Sequence, residues 1–237
     1  MGKGDDTKRK YVETTSQIIK EDGLDEVSIR KIANRIGCST AVLYRHFPNL
    51  DFLIVLAAMH MLDGYFSRLV EVEKNQDTGI ATAIESWDAF IISAYEYPQL
   101  FYRVFYVYDS NTFHNAIKEY FKLFPIEERF EEIKDHGLFF LSLYSSNSYT
   151  RSLYYFRRAA NEGAISFENS RFLSYVVPSI SAYQLNRVQK GFVNEAEHDA
   201  ELKHCIYLIH HTVYAYLTDQ GREQLNDKQR EEIAQVR

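Results

Sequence analysis

Cysteine, proline and glycine are scarce in this 237-residue chain, at two, four and ten residues respectively. Cys38 and Cys205 form neither a CxxC pair nor a disulfide framework, which points to a reducing compartment. No apolar run is long enough to span a bilayer; the longest, Phe52 to Leu62, contains His60. The start, Met1-Gly2-Lys3-Gly4-Asp5-Asp6, has no apolar stretch after its lysine and does not read as a signal peptide. The expectation is a cytoplasmic protein with no membrane partner. With 46% hydrophobic and 25% charged residues, collagen-like, low-complexity and largely disordered chains are excluded too.

Catalytic and metal-binding signatures are also lacking. There is no Gly-x-Ser-x-Gly, no glycine-rich phosphate loop and no cysteine in a nucleophile signature. None of the eight histidines lies three or four residues from another, so no helix presents a two-histidine ligand face. Glu201-Leu202-Lys203-His204 is a single Glu-x-x-His, where a di-iron bundle needs two. The expectation is a protein that is not an enzyme, with no metal and no cofactor.

What is present is helical periodicity. Period-two alternation is rare, and apolar residues recur every three or four positions almost throughout. The pattern predicts an all-α chain of about nine helices joined by short connections. The first runs from near Thr7 to Asp22, the second from Ser28 to Gly37, and the third from Ser39 to about His46. A long fourth helix carries Leu53, Leu56, His60 and Asp63 towards Lys74. Asp77-Thr78-Gly79 breaks the chain, and further helices are predicted near 80–95, 98–108, 111–123, 126–134, 137–162, 168–190 and 197–218. The boundaries are a head at 1–50, a larger helical body at 51–219 and a polar tail at 220–237, the tail frayed or disordered.

The head differs from the body in charge. Residues 1–50 carry nine Lys/Arg against seven Asp/Glu, and the rest carries 18 against 26. A basic head on an acidic body fits a polyanion meeting only the head. Within the head, Ile29, Ile32, Ala33 and Ile36 make one apolar stripe. Gly37 sits where a tight turn needs positive φ, and Ser39 is placed to cap a short helix through its side chain. Leu43 or Val42, with Phe47, would pack that helix back. Helix, glycine turn, helix is the pattern of a DNA-binding helix-turn-helix, whose second helix enters the major groove. Its exposed face would show Thr40, Ala41, Tyr44 and Arg45, with Arg30, Lys31 and Arg35 flanking for phosphates. An ordinary helical hairpin with a solvated basic face shares this spacing.

Residues Tyr11 to Leu53 resemble the N-terminal domain of the TetR (tetracycline-repressor-like) regulators. The resemblance is carried by Gly23, Ser28-Ile29-Arg30-Lys31-Ile32-Ala33, Gly37-Cys38-Ser39, Leu43-Tyr44-Arg45-His46-Phe47, Asn49 and Leu53, about a fifth of the chain. It implies that Ser28, Thr40, Ala41, Tyr44, Arg45 and His46 face DNA, with Tyr44 and His46 mainly on phosphates. Arg30 and Ser39 complete the set read here as DNA-facing. The family usually has a phosphate-contacting lysine after the asparagine of the fourth helix, and Leu50 stands there instead.

The same resemblance implies a ligand pocket enclosed by the fourth to eighth helices. The body is rich in aromatic residues, at 15% of the whole chain, and the pocket candidates are Met59, Leu62, Phe66, Trp87, Phe105, Tyr106 and Tyr144. Such a pocket would take a flat or hydrophobic effector, cationic if the acidic body decides. Two late stripes suggest a homodimer through the last two long helices, as in the family: Phe172, Tyr175/Val176, Ser179, Tyr183, Asn186, and Leu202, Ile206, Ile209, Val213, Leu217. The functional expectation is a ligand-responsive regulator, a repressor released from a palindromic operator on double-stranded DNA by a small hydrophobic or aromatic effector. A helical protein-interaction scaffold and an all-α enzyme are the alternatives.

Overall fold

Side-chain caps set where several helices begin. Ser28 Oγ accepts the Lys31 N–H at 3.2 Å and Asn49 Oδ1 accepts the Phe52 N–H at 2.8 Å. Thr78, Ser166 and Thr218 do the same for Ala81, Asn169 and Gly221. Each satisfies one amide that the helix itself leaves without an acceptor.

The computed structural model describes residues 3–108, 110–125, 145 and 147–234. All regular structure among them is helical. The head holds α1 (Lys3–Asp22), α2 (Ile29–Ile36) and α3 (Thr40–Tyr44). The body follows with α4 (Leu50–Met61), α5 (Asp63–Asn75), α6 (Gly79–Glu96) and α7 (Pro98–Tyr102). A π-helical turn, Arg103–Val107, leads on to α8 (Ser110–Leu123). Then come α9 (Ser148–Asn161), α10 (Phe167–Gln189), α11 (His198–Tyr214), α12 (Asp219–Glu223) and α13 (Asp227–Ala234). The helix predicted at 126–134, and the start of the one at 137–162, lie outside the described residues.

Two expectations change. The single helix predicted from Leu50 towards Lys74 is broken at Leu62, and its halves meet at 52°. Leu53 to Met59 are buried on every face of α4, which packs between α1 and α8. Phe66, Leu69 and Val70 of α5 pack towards α6 instead, so one straight rod cannot serve both sets of neighbours. The tail is likewise helical over its described part, up to Ala234. Leu225 and Gln229 are buried, at 4% and 1% exposure, and Arg230 donates to the Glu223 and Leu225 carbonyls.

The centre of the body is α6, buried almost from end to end and packed against α5, α9 and α11. Its first residue must be glycine. A Cβ on Gly79 would lie 2.8 Å from the Ala159 amide nitrogen on α9, and the Gly79 N–H donates to Glu162. No single helix among the described residues is long and apolar enough to cross a membrane.

Candidate nucleic-acid interface and ligand cavity

The turn between α2 and α3 is built on Gly37, whose φ of 81° lies in the left-handed region. Cys38 N–H bonds to the Ala33 carbonyl at 3.0 Å and Gly37 N–H to Asn34 at 3.2 Å, the paired bonds of a Schellman end. Ser39 then starts α3 from an extended backbone, but its side chain makes no capping bond. The Val42 N–H is taken by the Ser39 carbonyl at 3.0 Å instead, so the expected role of the hydroxyl as a cap is corrected.

Below the turn, Leu43 and Phe47 are fully buried. Tyr11 of α1 packs edge-on to Phe47, with ring centroids 5.7 Å apart, and its hydroxyl lies 3.1 Å from Cys38 Sγ. Burial, reinforced by Cys38, pushes the Tyr11 phenol up to about 12. This anchoring turns the other side of α3 outward. Thr40, Ala41 and Arg45 are exposed and Tyr44 keeps 58% of its surface. Ser28, Arg30 and Ser39 are exposed beside them, while His46 is half-buried with its ring 5.7 Å from Tyr11.

Two of the three flanking cations are already engaged. Lys31 pairs with Asp22 and Glu26, and Arg35 with Glu21 and Asp22. These pairs are partly solvated and cost little to exchange for phosphate.

In the body, a cavity lies between α5, α6, the π-helical turn and α9. Its lining is Tyr65, Leu69, Ser86, Trp87, Phe90, Tyr106, Ser148, Arg151, Ser152 and Tyr155. The free space is about 30 Å³, room for about two water molecules. The Arg151 guanidinium carbon stands 4.3 Å from the Phe105 ring centroid, and Nη1 donates to the Ser145 carbonyl at 3.1 Å. Desolvation holds the Arg151 pKa below its ordinary value, and the facing phenols Tyr65, Tyr106 and Tyr155 oppose that shift. Tyr106 donates its own hydroxyl to Ser181 at 2.9 Å.

The family profile described as "Bacterial regulatory proteins, tetR family" matches residues 12–54, the segment that contains this turn and α3. Residues 12–54 thus carry the N-terminal domain of the TetR family. The fold of the chain agrees over nearly the whole length. A TetR transcription regulator from Haloarcula marismortui superposes with a TM-score of 0.55 at 15% identity, covering 90% of this chain and 99% of that one. SmeT, the repressor of the Stenotrophomonas maltophilia multidrug efflux pump SmeDEF, gives 0.51 at 14% identity over 90% and 91%. A transcriptional regulator from Saccharomonospora viridis, solved in complex with choline, gives 0.51 at 16% identity over 90% and 98%. Curated protein sequences yield no match. The matched segment, which holds the turn and α3, supports a DNA-binding regulator.

Of the seven pocket candidates, Trp87 and Tyr106 line the cavity and Phe105 lies directly under Arg151. Met59, Leu62 and Phe66 are buried in the core away from its lining, and Tyr144 falls outside the described residues. Sequence reasoning predicted a helix over α9 but named none of its residues that line the cavity. Ser148, Arg151, Ser152 and Tyr155 follow the i, i+3, i+4, i+7 pattern, so one polar stripe turns into the cavity. That stripe was the available signal, overlooked because inward faces were sought among apolar residues.

The second dimer stripe is redistributed too. Ile209, Val213 and Leu217 are buried within this subunit, whereas Tyr207 is 51% exposed. On α10 the first stripe stays outward, with Phe172 at 43%, Tyr175 at 60% and Tyr183 at 65% exposure.

Proposed function

We propose that this chain is a homodimeric repressor of the TetR family, released from a palindromic operator by a small hydrophobic effector bound in the α5–α6–α9 cavity. The observation that carries the reading is α8, which touches both ends of the problem. Its Phe113 ring lies 6.0 Å from Phe105 and 5.9 Å from the Arg151 guanidinium at the cavity. Six and ten residues further on, Glu119 pairs with Lys8 and the Leu123 carbonyl accepts from Arg9, both on α1 of the head. The π-helical turn adds a second link: Arg103 pairs with Asp25 at 3.8 Å while Phe105 and Tyr106 face the cavity.

The small volume matters for the mechanism. A ligand of ten or more heavy atoms does not fit in about 30 Å³ without displacing walls. Effector binding therefore selects a conformer with a wider cavity, and α8 and the π turn move with its wall. The bent α4–α5 pair does not act as one rigid lever. Coupling of this kind is reciprocal, so operator DNA must weaken effector affinity by the same factor.

The partner for the exposed α10 face is a second copy. Tyr175, Val176, Ser179, Ile180, Tyr183, Gln184 and Leu208 line an open groove of about 420 Å³ there. A two-fold axis through it would set two recognition helices about 34–36 Å apart, one turn of DNA. Binding the chromosome places the protein in the cytoplasm. A cationic effector, such as the choline held by the Saccharomonospora protein, is a second reading that the aromatic wall favours and Arg151 opposes.

The test is selection of bound DNA from a random pool, followed by salt titration of the best site. A palindrome bound with a steep salt slope supports the reading. No enrichment at low salt overturns it.

A further inference from the structure

We propose that the cavity takes a small hydrophobic carboxylate, with Arg151 as its counter-ion. The inference rests on the reading of this cavity as the effector site and names the chemistry of what enters it.

Three observations converge. Arg151 is the only charged side chain among the described lining residues. Its guanidinium offers five N–H donors, of which one is used among the described residues, on the Ser145 carbonyl. The charge itself has no carboxylate partner among the described residues; the groups acting on it are the phenols of Tyr65, Tyr106 and Tyr155. Glu73, whose charge reaches Tyr155, is held by Arg158 at 3.0 Å.

The neighbouring hydroxyl is also waiting. Ser152 Oγ is buried with no hydrogen-bond partner among the described residues, one helical position beyond Arg151 and on the same wall. An unmatched buried donor is destabilising, and an acceptor between Arg151 and Ser152 satisfies it. A carboxylate is such an acceptor: it takes two N–H bonds from the guanidinium fork and a third from the serine.

The rest of the wall defines the body of the ligand. Trp87, Phe90, Tyr65 and Leu69 offer flat apolar surface, and Tyr106 has its hydroxyl occupied by Ser181. This suits an aryl or alkyl group. The overall negative charge of the body suggests a cation only when averaged over the surface. At the cavity itself the sign is reversed.

The experiment is isothermal titration of the full-length protein with benzoate, 2-naphthoate and decanoate, each beside its neutral amide and its ammonium counterpart. At least one carboxylate should bind about tenfold or more tighter than its amide, with the ammonium weakest, as a charge-assisted bond predicts. Arg151→Gln should erase that preference by lowering carboxylate affinity far more than amide affinity, and Arg151→Lys should restore part of it. Thermal melting of both variants confirms that they fold. Equal or tighter binding of the amides or ammonium compounds overturns the proposal, as does absence of binding by all three carboxylates. If Arg151→Gln keeps the full preference, Arg151 only braces Phe105 and the proposal falls.

Operator release, followed by fluorescence anisotropy, separates this from the effector reading. A carboxylate that binds without releasing operator leaves the anion site standing and sinks the effector role. Release by the amide but not the carboxylate does the reverse.

Discussion

Arg9 donates from Nε to the Leu123 carbonyl at 2.5 Å, joining the first helix of the DNA-binding head to the last turn of α8. A cation there also meets the negative end of the α8 dipole. Lys8 reinforces the junction through Glu119, one helical turn earlier. Removing both basic side chains, as Lys8→Ala with Arg9→Ala, should leave effector affinity of the free protein nearly unchanged. The effect of the effector on operator affinity should shrink by about 0.5–2 kcal/mol. Calorimetry with and without operator checks this, and undiminished coupling would place the path elsewhere.

On DNA, Arg45 and Tyr44 are predicted to behave differently. Arg45→Ala should cost about 1–3 kcal/mol and relax preference at one base pair. Tyr44→Phe should weaken binding to all sequences by a similar factor, because a phosphate contact carries no base information. Leu50 stands half-buried at the start of α4, behind the Asn49 cap. Leu50→Lys should steepen the slope of log affinity against log salt by about 1. Binding curves at several salt concentrations, on the best site and on single-base variants, separate the three outcomes.

Stability should fall in mild acid, and His60 is the reason. Its ring on α4 packs 4.8 Å from Phe124 and 6.5 Å from Tyr120, and burial lowers its pKa below the ordinary 6.5. Glu13 and Asp63 oppose the shift, and Lys20 adds to it. The unfolded chain therefore takes up this proton first. The contribution of His60 is fully present above pH 6.5 and is lost as pH falls through the folded value. Urea unfolding at pH 7.5 and pH 5 should show the loss, and His60→Gln should reduce it. An unchanged pH dependence in His60→Gln assigns the effect to other groups.

The exposed α10 face gives a prediction about assembly. Tyr183→Asp should produce a monomer by sedimentation, since the side chain is 65% exposed and contributes to the groove. Operator affinity should drop about 100-fold or more, the avidity of two linked half-sites. A variant that remains dimeric shows that the interface lies elsewhere.

Much of the head was legible because its signals are local. The Ile29–Ile36 stripe, the glycine at position 37 and the Ser28 cap act over a few residues, and the structure forms the predicted helices within a few positions. Ser39 shows the limit even there, since a backbone carbonyl took the amide that its hydroxyl was expected to hold. In the body, periodicity located helices but could not choose their neighbours. A stripe such as Ile209, Val213 and Leu217 reads the same whether it meets its own core or a second subunit.

The order of amino acids by itself determined that this protein is helical, that a helix-turn-helix lies in the first fifty residues, and which side of α3 is free. Those properties follow from spacing, caps and one positive-φ turn, all within a few residues of one another. Only the tertiary structure decided that the fourth helix bends at Leu62, that the tail folds back, and that Arg151 stands among aromatic rings. Each depends on long-range packing: α4 needs α1 and α8 on opposite sides, Leu225 needs a buried site, and the sign of charge in a cavity depends on which single side chain reaches it.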